Sequence, residues 1–142
     1  DRYGPEQRLD SNYGAVVPIF IDRYTQGIQP TIYGSGKQSR DFVNVRDVSR
    51  LLVDLSIGEW AQPKQSVYNV GTGQSVTITE LASLIHELSQ SNLAFEPSFQ
   101  TQRAGDIEHS VASIEAIRRD FNWKPEISLE DGLRELIEVD SS

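Results

Sequence analysis

The chain has 142 residues and a formal net charge of -8, with 13 Lys plus Arg against 21 Asp plus Glu, which suits one domain with one real core. No run of cations exists for a nucleic-acid backbone, and no stretch approaches the ~20 apolar residues of a membrane span or forms a basic-then-apolar leader. Zero cysteines exclude disulfides and thiolate metal sites, while the lack of methionine and the opening Asp1-Arg-Tyr-Gly-Pro5 read as a piece of a larger protein.

Helical and extended segments alternate with short connections, an α/β reading. A first helix is expected from Val16, with Pro18 in its opening turn, Gly27 as its stop, and Val17, Phe20, Ile21 and Tyr24 on one side. Thr31–Tyr33 and Phe42–Val45 read as short strands joined by a glycine-containing turn. Asp47 reads as the N-cap of a helix with a Val48, Leu51, Leu52, Leu55 stripe, ended by Gly58.

Ser66–Val70 reads as a strand and Gly71-Thr-Gly73 as a turn. Thr77 and Glu80 then stand at capping-box spacing before Leu81, Leu84, Ile85 and Leu88. Leu93–Phe99 is expected to be extended and broken by Pro97. Helices around Ile114–Phe121 and Leu129–Val139 close the chain, with Ser128 and Asp131 opening the second. There is no repeat, low-complexity stretch or internal linker, so residues 1–142 are expected to form one domain.

An acidic chain that binds an anion must concentrate its few cations locally, which singles out Arg40 and Arg103 beside glycine-rich turns. A guanidinium fork matches a diphosphate better than an ammonium does. From the residues alone, a solvated ion pair of Arg40 with Asp41 or Asp47 is the favoured reading. Arg103-Ala-Gly-Asp106 is by composition a turn, with Gly105 allowing close backbone approach. Tyr33 and Lys37 have the spacing of a catalytic Tyr-Lys pair on one helical turn. Gly34, Ser35 and Gly36 between them, and Pro30 before, argue against a helix there and make the pair a decoy. No Gly-x-Gly-x-x-Gly follows a strand, and Gly36-Lys37-Gln38-Ser39 is not a P-loop. His86 and His109 lack metal-ligand company, so no metal site is expected.

The run Thr31-Ile-Tyr-Gly-Ser-Gly-Lys-Gln-Ser-Arg40-Asp-Phe-Val-Asn-Val45 resembles a segment of NAD-dependent nucleotide-sugar epimerases and dehydratases, the extended short-chain dehydrogenase/reductase family. Arg103-Ala-Gly-Asp106, Tyr68-Asn-Val-Gly-Thr-Gly73 and Phe121-Asn-Trp-Lys-Pro125 resemble three further elements of that family. The resemblance covers nearly the whole chain. It implies an α/β fold, the small mixed substrate-binding lobe with the Rossmann lobe missing. Under it, Arg40 and Arg103 grip a UDP-sugar diphosphate and Asp106 holds ribose hydroxyls. Ala15 and Val16 offer backbone groups under the base, and Thr31 and Tyr33 lie beside the uracil. Ser110 walls the sugar pocket and, being small, leaves room for an N-acetyl group. Trp123 is read as a packing anchor and the Gly71–Gly73 turn as structural. The position usually held by a substrate-touching asparagine is Asp1, a departure from the family pattern.

The resemblance further implies a 4-epimerase, since Gln38-Ser-Arg-Asp-Phe42 departs from the "NvRDW" of dTDP-glucose dehydratases. In such enzymes NAD takes the C4 hydride while a tyrosine takes the hydroxyl proton. Both would belong to the missing lobe, so this chain is expected to hold no catalytic residue or cofactor and to be inactive alone. A cytoplasmic homodimer is the expected state of the full-length enzyme. A 4,6-dehydratase or sugar-acid decarboxylase of the same family, and a standalone binding domain, are the competing readings.

Overall fold

The computed structural model describes residues 2–3, 16–57, 70–101 and 113–141. In chain order the elements are β1 (Arg2–Tyr3), α1 (Val16–Thr25), β2 (Thr31–Tyr33), β3 (Ser39–Arg40), β4 (Val43–Asn44) and α2 (Val45–Ile57). There follow β5 (Val76–Thr77), α3 (Ile78–Leu88), β6 (Ser98–Gln100), α4 (Glu115–Phe121) and α5 (Leu129–Ser141). Among the described residues the strands form three two-stranded pairs: β1 with β4 and β2 with β6, both parallel, and β3 antiparallel to β5. The expected α/β class is what is observed.

Helical periodicity locates the main core. Val17, Phe20, Ile21 and Tyr24 of α1 are all buried, as their spacing requires. They pack with Ile78, Leu81, Ala82 and Ile85 of α3 and with Leu133 and Ile137 of α5. Ile32 of β2 and Phe42 close the cluster. A second cluster joins Val43 and Leu51 to Ile114, Ile117 and Trp123. It ties α2 to the chain around α4.

Local chemistry fixes where the helices begin and end. α3 opens with a complete capping box: the Thr77 hydroxyl accepts the Glu80 amide at 3.0 Å, and the Glu80 carboxylate accepts the Thr77 amide at 3.2 Å. At α5 the Ser128 hydroxyl accepts the Asp131 amide at 3.1 Å. Gly27, φ +72°, follows α1 and supplies the left-handed residue that ends it.

Four expectations need correction. Val45 belongs to α2 and not to the preceding strand, because the Asn44 side chain accepts the Arg46 amide at 2.9 Å and caps the helix there. Asp47 is therefore inside the first turn, and its carboxylate reaches across the fold. Leu52 is 61% exposed, so the α2 stripe narrows to buried Leu51 with half-buried Val48 and Leu55. Extended pairing after Pro97 is confined to Ser98–Gln100, and a strand at Val76–Thr77 precedes α3. Such short strands carry too little alternation to be read from a sequence. The expected strand at 66–70 lies outside the described residues except for Val70, which is not in a strand.

Candidate functional site

Arg40 closes β3, paired with Val76 of β5, and is only 3% exposed. Its Nη1 donates to the Ser39 carbonyl at 2.6 Å, which holds one end of the guanidinium. The buried position disposes of a solvated surface pair as the description of Arg40. A charged group this deep is costly unless hydrogen-bonding partners surround it. Arg40 and Phe42 line a cavity of about 330 Å³ with two walls. One is Thr72, Gln74 and Val76; the other is the run Pro125–Leu129.

The first wall is held by Asp41. Its carboxylate accepts the Thr72 amide at 3.0 Å, the Gly73 amide at 2.9 Å and the Thr72 hydroxyl. The Thr72 and Gly73 amides are thus committed to a side chain of the protein and not presented to a phosphate. That bears out the structural reading of Gly71–Gly73. The Thr72 and Gly73 amides are therefore closed to the phosphates of any ligand, NAD included.

The second wall is held by Asp47, which is 2% exposed. Its two carboxylate oxygens accept the amides of Glu126 and Ile127, each at 3.1 Å. The Asp47 carbonyl accepts the indole N–H of Trp123 at 3.1 Å. Arg50 adds bonds to the Lys124 carbonyl at 2.6 Å and to the Glu126 carboxylate at 3.1 Å. Trp123 is an anchor, as expected, with its ring buried in the second cluster.

The other expected site residues are distributed differently. Thr31 is half-buried on β2, where its hydroxyl meets the Ser98 hydroxyl at 3.2 Å. Tyr33, at the end of β2, is 38% exposed, and Val16 is half-buried at the start of α1. None of these three lines the Arg40 cavity. Ala15, Arg103, Asp106 and Ser110 lie outside the described residues. Tyr33 and Lys37 flank a turn and not a helix, with Gly34 and Gly36 at φ +86° and +76°. The catalytic-pair arrangement is thereby ruled out for them.

Sequence reasoning missed Gln74 and the 125–129 run as lining one cavity with Arg40. No local signal links them, because they meet only through tertiary folding. Asp47 was noticed for the wrong reason: a buried acidic residue in a helix's first turn looks like a cap until its cross-fold bonds are seen. His86 is also accounted for, its Nε2 bonding the Leu93 carbonyl at 2.6 Å and its ring lying edge-on to Tyr24.

The sequence profile of the GDP-mannose 4,6 dehydratase family matches residues 1–136. Among solved structures, the UDP-glucose 4-epimerase of Thermotoga maritima, determined with UDP-glucose, superposes with a TM-score of 0.85 at 32% identity, over 99% of this chain and 43% of that one. The UDP-N-acetylglucosamine 4-epimerase of Methanobrevibacter ruminantium, determined with UDP-N-acetylmuramic acid, gives 0.85 at 32% identity, over 100% and 44%. UDP-glucuronic acid decarboxylase 1 of Arabidopsis thaliana is 32% identical over 135 residues, 95% of this chain and 29% of that protein. The chain thus spans less than half the length of these relatives. With its profile match, its fold and the Arg40 motif in agreement, the chain belongs to the GDP-mannose 4,6 dehydratase family of NAD-dependent nucleotide-sugar epimerases and dehydratases.

Proposed function

We propose that this chain is the nucleotide-sugar-binding part of an NAD-dependent UDP-sugar 4-epimerase. The observation that carries the reading is Arg40, a buried guanidinium lining a cavity of about 330 Å³. It supplies forked donors to a diphosphate. Arg103 brings a second cation to the same diphosphate, and Asp106 accepts ribose hydroxyl protons. Ala15, Val16, Thr31 and Tyr33 contact the base, and Ser110 borders the sugar. NAD supplies hydride transfer at C4 and is held elsewhere in the complete protein. This chain binds and orients the substrate and excludes water, and alone it is inactive. Support for UDP as the nucleotide comes from the two 4-epimerase structures, each determined with a UDP-linked ligand. We place the full-length enzyme in the cytoplasm as a homodimer. Among the described residues no helix is long and apolar enough to cross a membrane.

The test is product identity. The protein encoded by the complete gene is incubated with UDP-N-acetylglucosamine, UDP-glucose, UDP-glucuronate and dTDP-glucose, and products are identified by NMR. The C4 epimer of a UDP-sugar is the expected product. A 4-keto-6-deoxy sugar from dTDP-glucose would make it a dehydratase, and a UDP-pentose from UDP-glucuronate a decarboxylase. Turnover by the 142-residue chain alone would contradict the assignment of chemistry to another lobe.

A further inference from the structure

Asp41 and Asp47 stand on either side of β4, and each secures a different wall of the Arg40 cavity. The segments they hold have little regular structure of their own: residues 71–75 and 122–128 run outside helices and strands. Backbone freedom in such segments is restricted by what they bond to, and ordering each residue carries an entropy cost. Asp41 spends both carboxylate oxygens on Thr72 and Gly73. Asp47 gives one oxygen to the Glu126 amide and, at 3.4 Å, to Arg50 Nη2, and the other to the Ile127 amide. Charge-assisted bonds of this kind are about twice as strong as neutral ones. Both carboxylates are buried, at 4% and 2% exposure, so water competes poorly for these amides.

We propose that Asp41 and Asp47 are paired positioning residues that fix the gap between the two cavity walls, so that a nucleoside diphosphate enters a slot already formed across Arg40. The inference rests on the reading of Arg40 as a diphosphate ligand and deepens it. A pre-formed slot removes an ordering cost from binding, so its loss falls on affinity. Neither aspartate touches the reacting carbon, so turnover at saturation is unaffected. Asparagine is the informative replacement at both positions. Its N–H₂ turns a donor toward an amide that needs an acceptor, with almost no change in shape.

The experiment uses the full-length protein carrying Asp41→Asn, Asp47→Asn or Arg40→Ala. UDP is titrated calorimetrically, amide hydrogen exchange is followed without ligand, and KM and kcat are measured separately. Asp41→Asn is expected to speed exchange at Thr72 and Gly73 about tenfold and spare Glu126 and Ile127; Asp47→Asn does the reverse. Each aspartate variant raises the UDP Kd and the substrate KM about tenfold with kcat within about twofold of wild type. Thermal melting establishes that each variant is folded. Should Asp47→Asn fail to fold, Asp41→Asn carries the test alone, and unchanged UDP affinity in it overturns the wall assignment. Unchanged UDP affinity in both aspartate variants, with affinity lost in Arg40→Ala, would overturn the wall assignment and leave the diphosphate reading intact. Affinity lost in both aspartate variants but kept in Arg40→Ala would support the wall assignment and contradict that reading.

Discussion

Gly36 and Thr79 meet through one oxygen: the Gly36 carbonyl accepts the Thr79 amide at 3.1 Å and the Thr79 hydroxyl at 2.9 Å. The contact docks the turn that follows β2 onto the first turn of α3. It tolerates no side chain, since a Cβ at Gly36 would fall 2.1 Å from the Thr79 hydroxyl oxygen, and φ there is +76°. Gly36→Ala is therefore expected to destabilise the fold by more than about 2 kcal/mol, combining the left-handed strain with the clash. Urea unfolding of wild type and variant checks this. A loss below about 0.5 kcal/mol would mean that the turn relaxes freely.

Trp123 separates packing from hydrogen bonding. Phenylalanine keeps most of the ring but leaves the buried Asp47 carbonyl without its indole donor. Trp123→Phe is expected to cost about 1–2 kcal/mol and Trp123→Ala about 3–5 kcal/mol, measured by the same unfolding experiment. Equal costs for the two would show that the indole N–H contributes most of the stability at this position.

Tyr24 gives a pH dependence whose sign can be worked out. Burial raises its hydroxyl pKa from 10.0 to about 12, and among the described residues the hydroxyl has no hydrogen-bond partner. The unfolded chain releases this proton near its ordinary pKa, while the folded chain retains it until about pH 12. Between those limits the unfolded state binds fewer protons, so the stability contributed by neutral Tyr24 declines as pH rises. Chemical unfolding at a series of alkaline pH values should show this decline in wild type and a shallower one in Tyr24→Phe. Near neutral pH, Tyr24→Phe is expected to be neutral or stabilising by up to about 1 kcal/mol, because it removes an unpaired buried hydroxyl.

These residues also mark how far the sequence could be read. The core face of α1 and the Thr77–Glu80 capping box rest on local spacing, and both were legible without the structure. Arg40 was legible because its neighbours form a family motif, although its burial was not. The cavity itself was hidden, since Thr72, Gln74 and the 125–129 run approach Arg40 from distant parts of the chain. Asp47 shows why: the bonds that give it a role join residues 79 and 80 positions apart, beyond any periodicity or cap rule. The start of α2 was misread for a related reason. Asn44 and Asp47 are both good caps, and only the observed bond from the Arg46 amide to Asn44 decides between them.

Ser110 carries the proposal about sugar choice. A small side chain at a pocket wall leaves room for an acetamido group at C2, whereas a phenol ring fills it. In the full-length protein, Ser110→Tyr is expected to depress kcat/KM for UDP-N-acetylglucosamine at least tenfold more than for UDP-glucose. An equal loss on both substrates would remove Ser110 from the pocket.

The most direct test of the central claim is calorimetric titration of UDP into the full-length protein with Arg40, Arg40→Lys and Arg40→Ala. Losing a charge-assisted bond to phosphate costs roughly 1.5–3 kcal/mol, so Arg40→Ala is expected to weaken UDP binding by one to two decades. Lysine should restore only part of the loss, as a single ammonium cannot form a two-pronged contact. The same titration with uridine, which lacks the diphosphate, should return nearly equal affinities for all three proteins. Equal UDP affinities across the three, or a loss as large with uridine as with UDP, would contradict the assignment of Arg40 to the diphosphate.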